Sequence, residues 1–172
     1  MFLQERGDED CMNIAKGGSM NKLHARNIMN AKVICVNGNM DLRELAKLFI
    51  EKKISGAPVV DDSDNLIGVV SLTDVVRHNL TADREVVSES DFYRQLPQDV
   101  SFKKGFHIED FNVDKVSEIM TPVLITAGEE TPVNELASIM LKKRVHRIII
   151  TKSNRVTGIV TTTDLMMLLA NP

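Results

Sequence analysis

The chain has 172 residues, 43% of them apolar, and a formal net charge of −3. That length accommodates one compact domain or two small ones sharing apolar surface. The charge balance excludes a broad nucleic-acid-binding surface, which needs a surplus of Lys and Arg to set against phosphates.

With six Phe, one Tyr and no Trp, the core must be built from Ile, Val, Leu and Met. Residues 1–24 are expected to form a flexible leader. They contain acidic side chains, a linker-like Gly17-Gly18-Ser19 and no apolar stretch of the kind a signal peptide carries. No run approaches the roughly 18 apolar residues that a membrane span requires. A cytoplasmic protein with no membrane partner is therefore expected. Of the two cysteines, Cys11 falls in this polar leader, whereas Cys35 lies in an apolar run and reads as a small core residue. The pair has neither metal-ligand spacing nor the makings of a disulfide framework.

From residue 25 onward the chain repeats itself. Residues 25–80 and 116–172 align, with Ile28-Met29 matching Ile119-Met120, Glu44-Leu45-Ala46 matching Glu135-Leu136-Ala137, and Thr73-Asp74 matching Thr163-Asp164. Each copy opens with a short apolar strand, Val33–Val36 or Val123–Thr126. Next comes a helix with apolar residues at i, i+3, i+4 and i+7: Leu42, Leu45, Ala46 and Phe49 in one copy, Val133, Leu136, Ala137 and Met140 in the other. Thr131-Pro132 suggests an N-cap followed by proline in the first helical position. A β-branched strand (Pro58–Val60 or Ile148–Ile150), a polar turn and a second strand (Leu66–Ser71 or Val156–Thr161) then form a hairpin. A last helix opens near Thr73 and again near Thr163. Each copy thus reads strand, helix, strand, strand, helix, and the fold class is α+β, built from tandem βαββα repeats. A unit of about 55 residues buries little core alone, so the two copies are expected to act as one module.

Between the copies, residues 81–115 form an insert that is the most acidic stretch and gathers Phe92, Tyr93, Phe102, Phe106 and Phe111. A structureless loop this long is uncommon inside a compact domain. The insert reads either as an ordered element packed on the module or as a partner-binding element.

Two constellations carry candidate chemistry. In Gly68–Asp74 and Gly158–Asp164, hydroxyls and a carboxylate stand where a strand gives way to a helix. Free N–H groups at a helix start suit a phosphate; Thr73 and Thr163 add hydroxyls, and Asp74 and Asp164 can accept both hydrogens of a ribose cis-diol. The plainer reading is a helix cap, and a repeated fold repeats its caps. The second constellation is Lys142-Lys143-Arg144-Val145-His146-Arg147, either cations at a helix C-terminus or a phosphate clamp with Arg147 as a forked donor. The first copy has Lys52-Lys53-Ile54-Ser55-Gly56-Ala57 there, without the His-Arg pair. His24, His78, His107 and His146 fall in no recognisable metal or triad spacing, and no nucleophile motif appears, so no enzyme activity is expected.

The runs Ile54–Asp61 and Gly68–Asp74, together with Ile119-Met120-Thr121-Pro122 and Gly158–Asp164, resemble the CBS (cystathionine beta-synthase) domain signature. The resemblance covers both repeats. It implies a pseudo-twofold CBS-domain pair and an adenosyl ligand such as AMP, ADP, ATP or S-adenosylmethionine. In such members the final Asp holds the ribose and the Ser/Thr before it lies near phosphate, which maps onto Thr73, Asp74, Thr163 and Asp164. Val145-His146-Arg147 is similar to the phosphate-contacting stretch of the regulatory subunit of AMP-activated kinase, and backbone around Ala57 and Ile148 would face the base. The implied role is a non-catalytic regulatory sensor that forms a homodimer through apolar helical faces including Val75, Val76, Leu165, Met166 and Leu169. Its regulated protein partner is unidentified. The alternative is a nucleotide-independent scaffold acting through residues 81–115.

Overall fold

In a computed structural model of the chain, residues 23–80, 114–122 and 124–170 are described. The expectations placed on residues 1–22, on Val123 and on most of the 81–115 insert lie outside them. The described residues fall into two compact units, one from Ile34 to Leu124 and the other joining the chain up to Val33 to everything from Ile125 onward.

In the first unit β1 (Val36–Asn37) pairs in parallel with β2 (Gly56–Val60), which pairs antiparallel with β3 (Leu66–Ser71). Helix α2 (Leu42–Lys52) lies between β1 and β2, and α3 (Leu72–Leu80) follows β3. The apolar stripe read from the sequence is the buried one: Leu42, Leu45, Ala46 and Phe49 are each at most 2% exposed. They pack with Ala57, Val59, Val70 and Val75. Fully burying a Leu or Phe side chain contributes about 1.5–3 kcal/mol, so this stripe is a main source of the unit's cohesion. Asp41 caps α2 by accepting from Glu44 N at 2.8 Å.

The β2–β3 turn is held by Asp61, whose carboxylate accepts from Ser63 N (2.9 Å), Asn65 N (2.8 Å) and Asn65 Nδ2 (3.0 Å). Those bonds, Asn65's first, lower the Asp61 pKa from its ordinary value. His78 Nε2 and Asp114 Oδ2 stand 2.5 Å apart, linking the last helix of the first repeat to the residues just ahead of Val116.

The second unit repeats the arrangement with β4 (Thr126–Gly128), α5 (Val133–Lys143), β5 (Arg147–Lys152), β6 (Arg155–Thr161) and α6 (Thr162–Ala170). Ile148, Ile149, Ile150, Val160 and Leu136 are fully buried.

The two short helices α1 (Ala25–Ile28) and α4 (Val116–Ile119) change places between the repeats. The α1 segment, which begins the first repeat, packs in the second unit: Ala25 N donates to Thr131 O (2.8 Å), Arg26 N to Glu129 O (3.0 Å), and Asn30 and Ile159 exchange bonds of 2.9 and 3.0 Å. The α4 segment does the same in the first unit: Val116 N donates to Met40 O, Ser117 N to Gly38 O (both 3.0 Å), and Thr121 and Val69 exchange bonds of 2.8 and 3.0 Å.

Three local expectations are corrected. The first strand of each copy starts later than expected, at Val36 rather than Val33 and at Thr126 rather than ahead of Leu124, because the chain reaches its sheet only after passing from one unit to the other. Cys35 is exposed and not core; its neighbour Val36 takes the inward side of the strand, and alternation turns Cys35 outward. The N-cap of α5 is Pro132, not Thr131. The Thr131 hydroxyl instead accepts from Gly128 N at 3.1 Å, closing the turn after β4.

Gly68 and Gly158 make the exchange sterically possible. A Cβ at Gly68 would lie 2.7 Å from Met120 Sδ and 3.1 Å from Thr121 O, and one at Gly158 would lie 2.7 and 2.9 Å from Met29 Cγ and Cβ. Gly68→Ala and Gly158→Ala should each cost about 1–3 kcal/mol through overpacking. Gly128→Ala, whose Cβ would meet nothing nearer than 3.9 Å, should be close to neutral. Urea denaturation of the three variants checks this.

Candidate functional site

The candidate residues divide between the units. Ala57, Thr73 and Asp74 belong to the first, and His146, Arg147, Ile148, Thr163 and Asp164 to the second. Each unit brings its own group to one end of its sheet, where the central strand begins and the last strand turns into a helix. In the first unit Gly56 pairs with Ser71, and Leu72 N donates to Ser55 O at 2.8 Å. In the second, Arg147 pairs with Thr161, and Thr162 N donates to His146 O at 3.0 Å. Gly56 and Arg147 therefore hold equivalent places, and only the second unit has a cation there.

The aspartates sit in the first turn of their helices, and both are engaged locally. Asp74 Oδ2 accepts from Ser71 N (2.7 Å) and Ser71 Oγ (2.6 Å), while Asp74 N approaches Ser71 Oγ at 3.3 Å. Asp164 Oδ2 accepts from Thr161 N (2.7 Å) and Thr161 Oγ1 (2.8 Å), with Asp164 N at 3.3 Å from Thr161 Oγ1. Each is a reciprocal capping box. The plain capping reading of these motifs thus holds, and the capping residues are Ser71 and Thr161, two residues ahead of Thr73 and Thr163. The spacing Ser/Thr-x-x-Asp was a usable signal for this. The caps hold each carboxylate by one oxygen at a fixed place on the helix start.

The hydroxyl-bearing Thr163 is exposed and Thr73 half-buried. His146 is exposed. Arg147 is half-buried, and its burial lowers the guanidinium pKa from the ordinary value. A desolvated guanidinium is a stronger partner for an anion than a fully hydrated one. Lys142, Lys143 and Arg144 are exposed at the end of α5, with Arg144 in the left-handed conformation at φ 53°, as the helix-end reading has them.

Ala57 and Ile148 offer a ligand less than the sequence suggested. Both are 0% exposed. Val69 turns its N–H and C=O away from β2 to bond Thr121. Alternation then turns those of Val70 toward β2, where Ala57 is its partner. The same holds for Ile159, Val160 and Ile148. The backbone groups directed to the other edge are those of Gly56 and Arg147. β1 reaches that edge only from Val59 onward, and β4 only from Ile149 onward. Which way the ladder faces at these strand starts is not visible in the sequence.

Residues 25–80 and 116–171 each match the CBS domain. The chain belongs to the CBS domain family. Its tandem CBS pair is 33% identical over 140 residues to the uncharacterized protein MJ1232 of Methanocaldococcus jannaschii, covering 81% of this chain and 37% of that protein. It is 31% identical over 153 residues to MJ1426 of the same organism, covering 82% of this chain and 88% of that protein. The chain thus spans little more than a third of the first of these relatives and most of the second. Among solved structures, the CBS domain pair of protein MJ0100, in complex with 5′-methylthioadenosine and S-adenosyl-L-methionine, superposes with a TM-score of 0.60 at 23% identity. That match covers 86% of this chain and 96% of the other. No helix among the described residues is long and apolar enough to cross a membrane.

The capping boxes of the CBS pair carry a direct stability expectation. Ser71→Ala and Thr161→Ala each remove a cap and should cost about 0.5–2 kcal/mol. Thermal unfolding of the single variants and of the double variant checks this, and losses that add are expected because the two caps share no partner.

Proposed function

We propose that this CBS pair is a regulatory module that binds an adenosyl ligand, drawn from AMP, ADP, ATP and S-adenosylmethionine, and performs no chemistry of its own. The observation that carries this reading is in the second unit. There Thr161 links a fixed acceptor and a desolvated cation: its side chain holds the Asp164 carboxylate, and it pairs across the sheet with Arg147. The separation of roles suits a nucleotide. Asp164 would take the ribose hydroxyls, the first turn of α6 with Thr163 would bring N–H and O–H donors to the 5′ side, and Arg147 would take a phosphate. Gly56 and Arg147 backbone at the sheet edge would meet the adenine. The adenosyl ligands bound by the MJ0100 pair support the same class.

Ligand binding changes the module's state only through a difference in affinity between two states, so the first requirement is binding itself. Titration calorimetry with AMP, ADP, ATP and S-adenosylmethionine should show at least one interaction. Arg147→Ala should weaken the phosphorylated ligands by about 10–100-fold, the loss for one charge-assisted bond, and leave S-adenosylmethionine less affected. Asp164→Ala should weaken all of them. Thr161→Ala, which breaks the same cap but leaves the carboxylate, separates ribose binding from helix capping. Silence from all four ligands at millimolar concentration would sink this reading.

The assembly proposed with it is a homodimer through α6. That helix reads Thr-Thr-Asp-Leu-Met-Met-Leu-Leu-Ala and has no buried residue, with Met166 64% and Leu169 61% exposed. An apolar helix of this kind asks for a partner surface, and a second copy offers a self-complementary one. Light scattering should give twice the chain mass, and Met166→Glu with Leu169→Glu should return it to the monomer value.

A further inference from the structure

Each crossing segment rests on its sheet through one methionine. Met120 and Met29 close the short helices α4 and α1, donating their N–H groups to Val116 O at 2.9 Å and Ala25 O at 2.8 Å. Both then turn extended, at φ −63°, ψ 152° and φ −66°, ψ 146°. That turn lays the thioether over a glycine of the last strand. A Cβ at Gly68 would stand 2.7 Å from Met120 Sδ and 3.2 Å from its Cγ; one at Gly158 would stand 2.7 Å from Met29 Cγ and nearer still to Sδ. The sulfur thus fills the space that any other residue's Cβ would take. The two-way backbone bridge to Val69 or Ile159 begins at the very next residue, Thr121 or Asn30.

Neither of these side chains is sealed from solvent. Met29 and Met120 are half-buried, whereas Met140 is only 4% exposed. Met120 also packs against the aliphatic cluster of its unit. Oxidation of a thioether needs access, and its product is a polar, chiral group in place of a flexible apolar one. At Met29 and Met120 the atom that would gain the oxygen is the one lying where the glycine leaves no room for a methyl group. Met166, 64% exposed on α6, offers the contrast of a thioether that a reagent reaches freely.

We propose that Met29 and Met120 are a matched pair of oxidation sites through which a hydroperoxide loosens the docking of the crossing segments. The O–O bond of the peroxide breaks and one oxygen bonds to sulfur. The thioether is oxidised by two electrons, and the peroxide's other oxygen leaves as water or an alcohol. A sulfoxide oxygen held against the glycine without a hydrogen-bond partner is unfavourable, so the methionine leaves the strand and the bridge beside it weakens. One methionine serves each unit, so both segments answer the same oxidant, and reduction of the sulfoxides returns them. No bound ligand is needed for this response.

The test treats the full chain, without ligand, with hydrogen peroxide. Peptide mass spectrometry locates the sulfoxides along a time course while the melting temperature is followed. Met166 should convert first with the melting temperature unchanged. The melting temperature should then fall by about 2–10 °C as Met29 and Met120 convert, and methionine sulfoxide reductases should restore it. Met29→Leu with Met120→Leu, a volume-conserving pair of changes, should lose no melting temperature under the same treatment. A chain that carries both sulfoxides and melts like the untreated protein overturns the proposal. So does a fall that tracks Met166 instead, or peroxide that leaves Met29 and Met120 intact once Met166 is fully converted. A double variant that falls as far as the parent overturns it too, by placing the effect on other methionines. Should the double variant not fold, the time course of the parent decides alone.

Discussion

The architecture depends on one steric contact made twice: a methionine of one repeat lying over a glycine in the last strand of the other repeat's sheet. Met120 covers Gly68 and Met29 covers Gly158. Immediately beyond each methionine, Thr121 or Asn30 forms a two-way backbone bridge to Val69 or Ile159. A flexible thioether can fill an irregular gap that a branched side chain could not, and a residue without Cβ lets the crossing backbone come within bonding distance. The bridge then fixes which backbone groups of β3 and β6 face outward. By alternation it also fixes that Ala57 and Ile148 are spent in the ladder. The position of the capping serine or threonine and the direction of its side chain follow from the same register.

The site inherits its geometry from this register and not from loops. Ser71 and Thr161 end their strands, begin their helices and hold the aspartate in one reciprocal contact. Two nearly identical scaffolds are thereby built with different chemistry at the equivalent strand start, a glycine in one and a buried-side cation in the other. The repeat conserves the frame, and a single side chain sets the local charge.

Much of this was legible in the sequence, because helices and hairpins are local. The stripe Leu42, Leu45, Ala46, Phe49 announced both the helix and its buried face. The strand Leu66–Ser71 was bounded correctly by its turn and by the polar residues that follow. What stayed hidden was long-range. Nothing in Val33–Val36 reveals that the chain leaves one unit for the other before joining a sheet, so the strand was placed early and Cys35 was assigned to a core it does not enter. Thr131 looked like a cap because Thr-Pro before a helix usually is one, yet its hydroxyl had a nearer donor in Gly128. Thr121 stood out only as part of the run Ile119–Pro122, with nothing local to show where it docks. It is an ordinary threonine before a proline, and its place beside Val69 depends on a pairing across some fifty residues of chain.

The exchange of the short helices also bears on how such a chain can arise and be divided. A single repeat carries a donor segment at its start and an accepting strand edge near its end, but in this chain the segment is docked on the other repeat's edge. Residues 25–80 alone would present an uncovered glycine on β3 and a detached helix. They could complete themselves only by trading segments with a second molecule. The doubled chain makes that trade internally, at a fixed one-to-one ratio and without dependence on concentration. Cutting the gene between its repeats would therefore yield two incomplete halves that must find each other, not two domains.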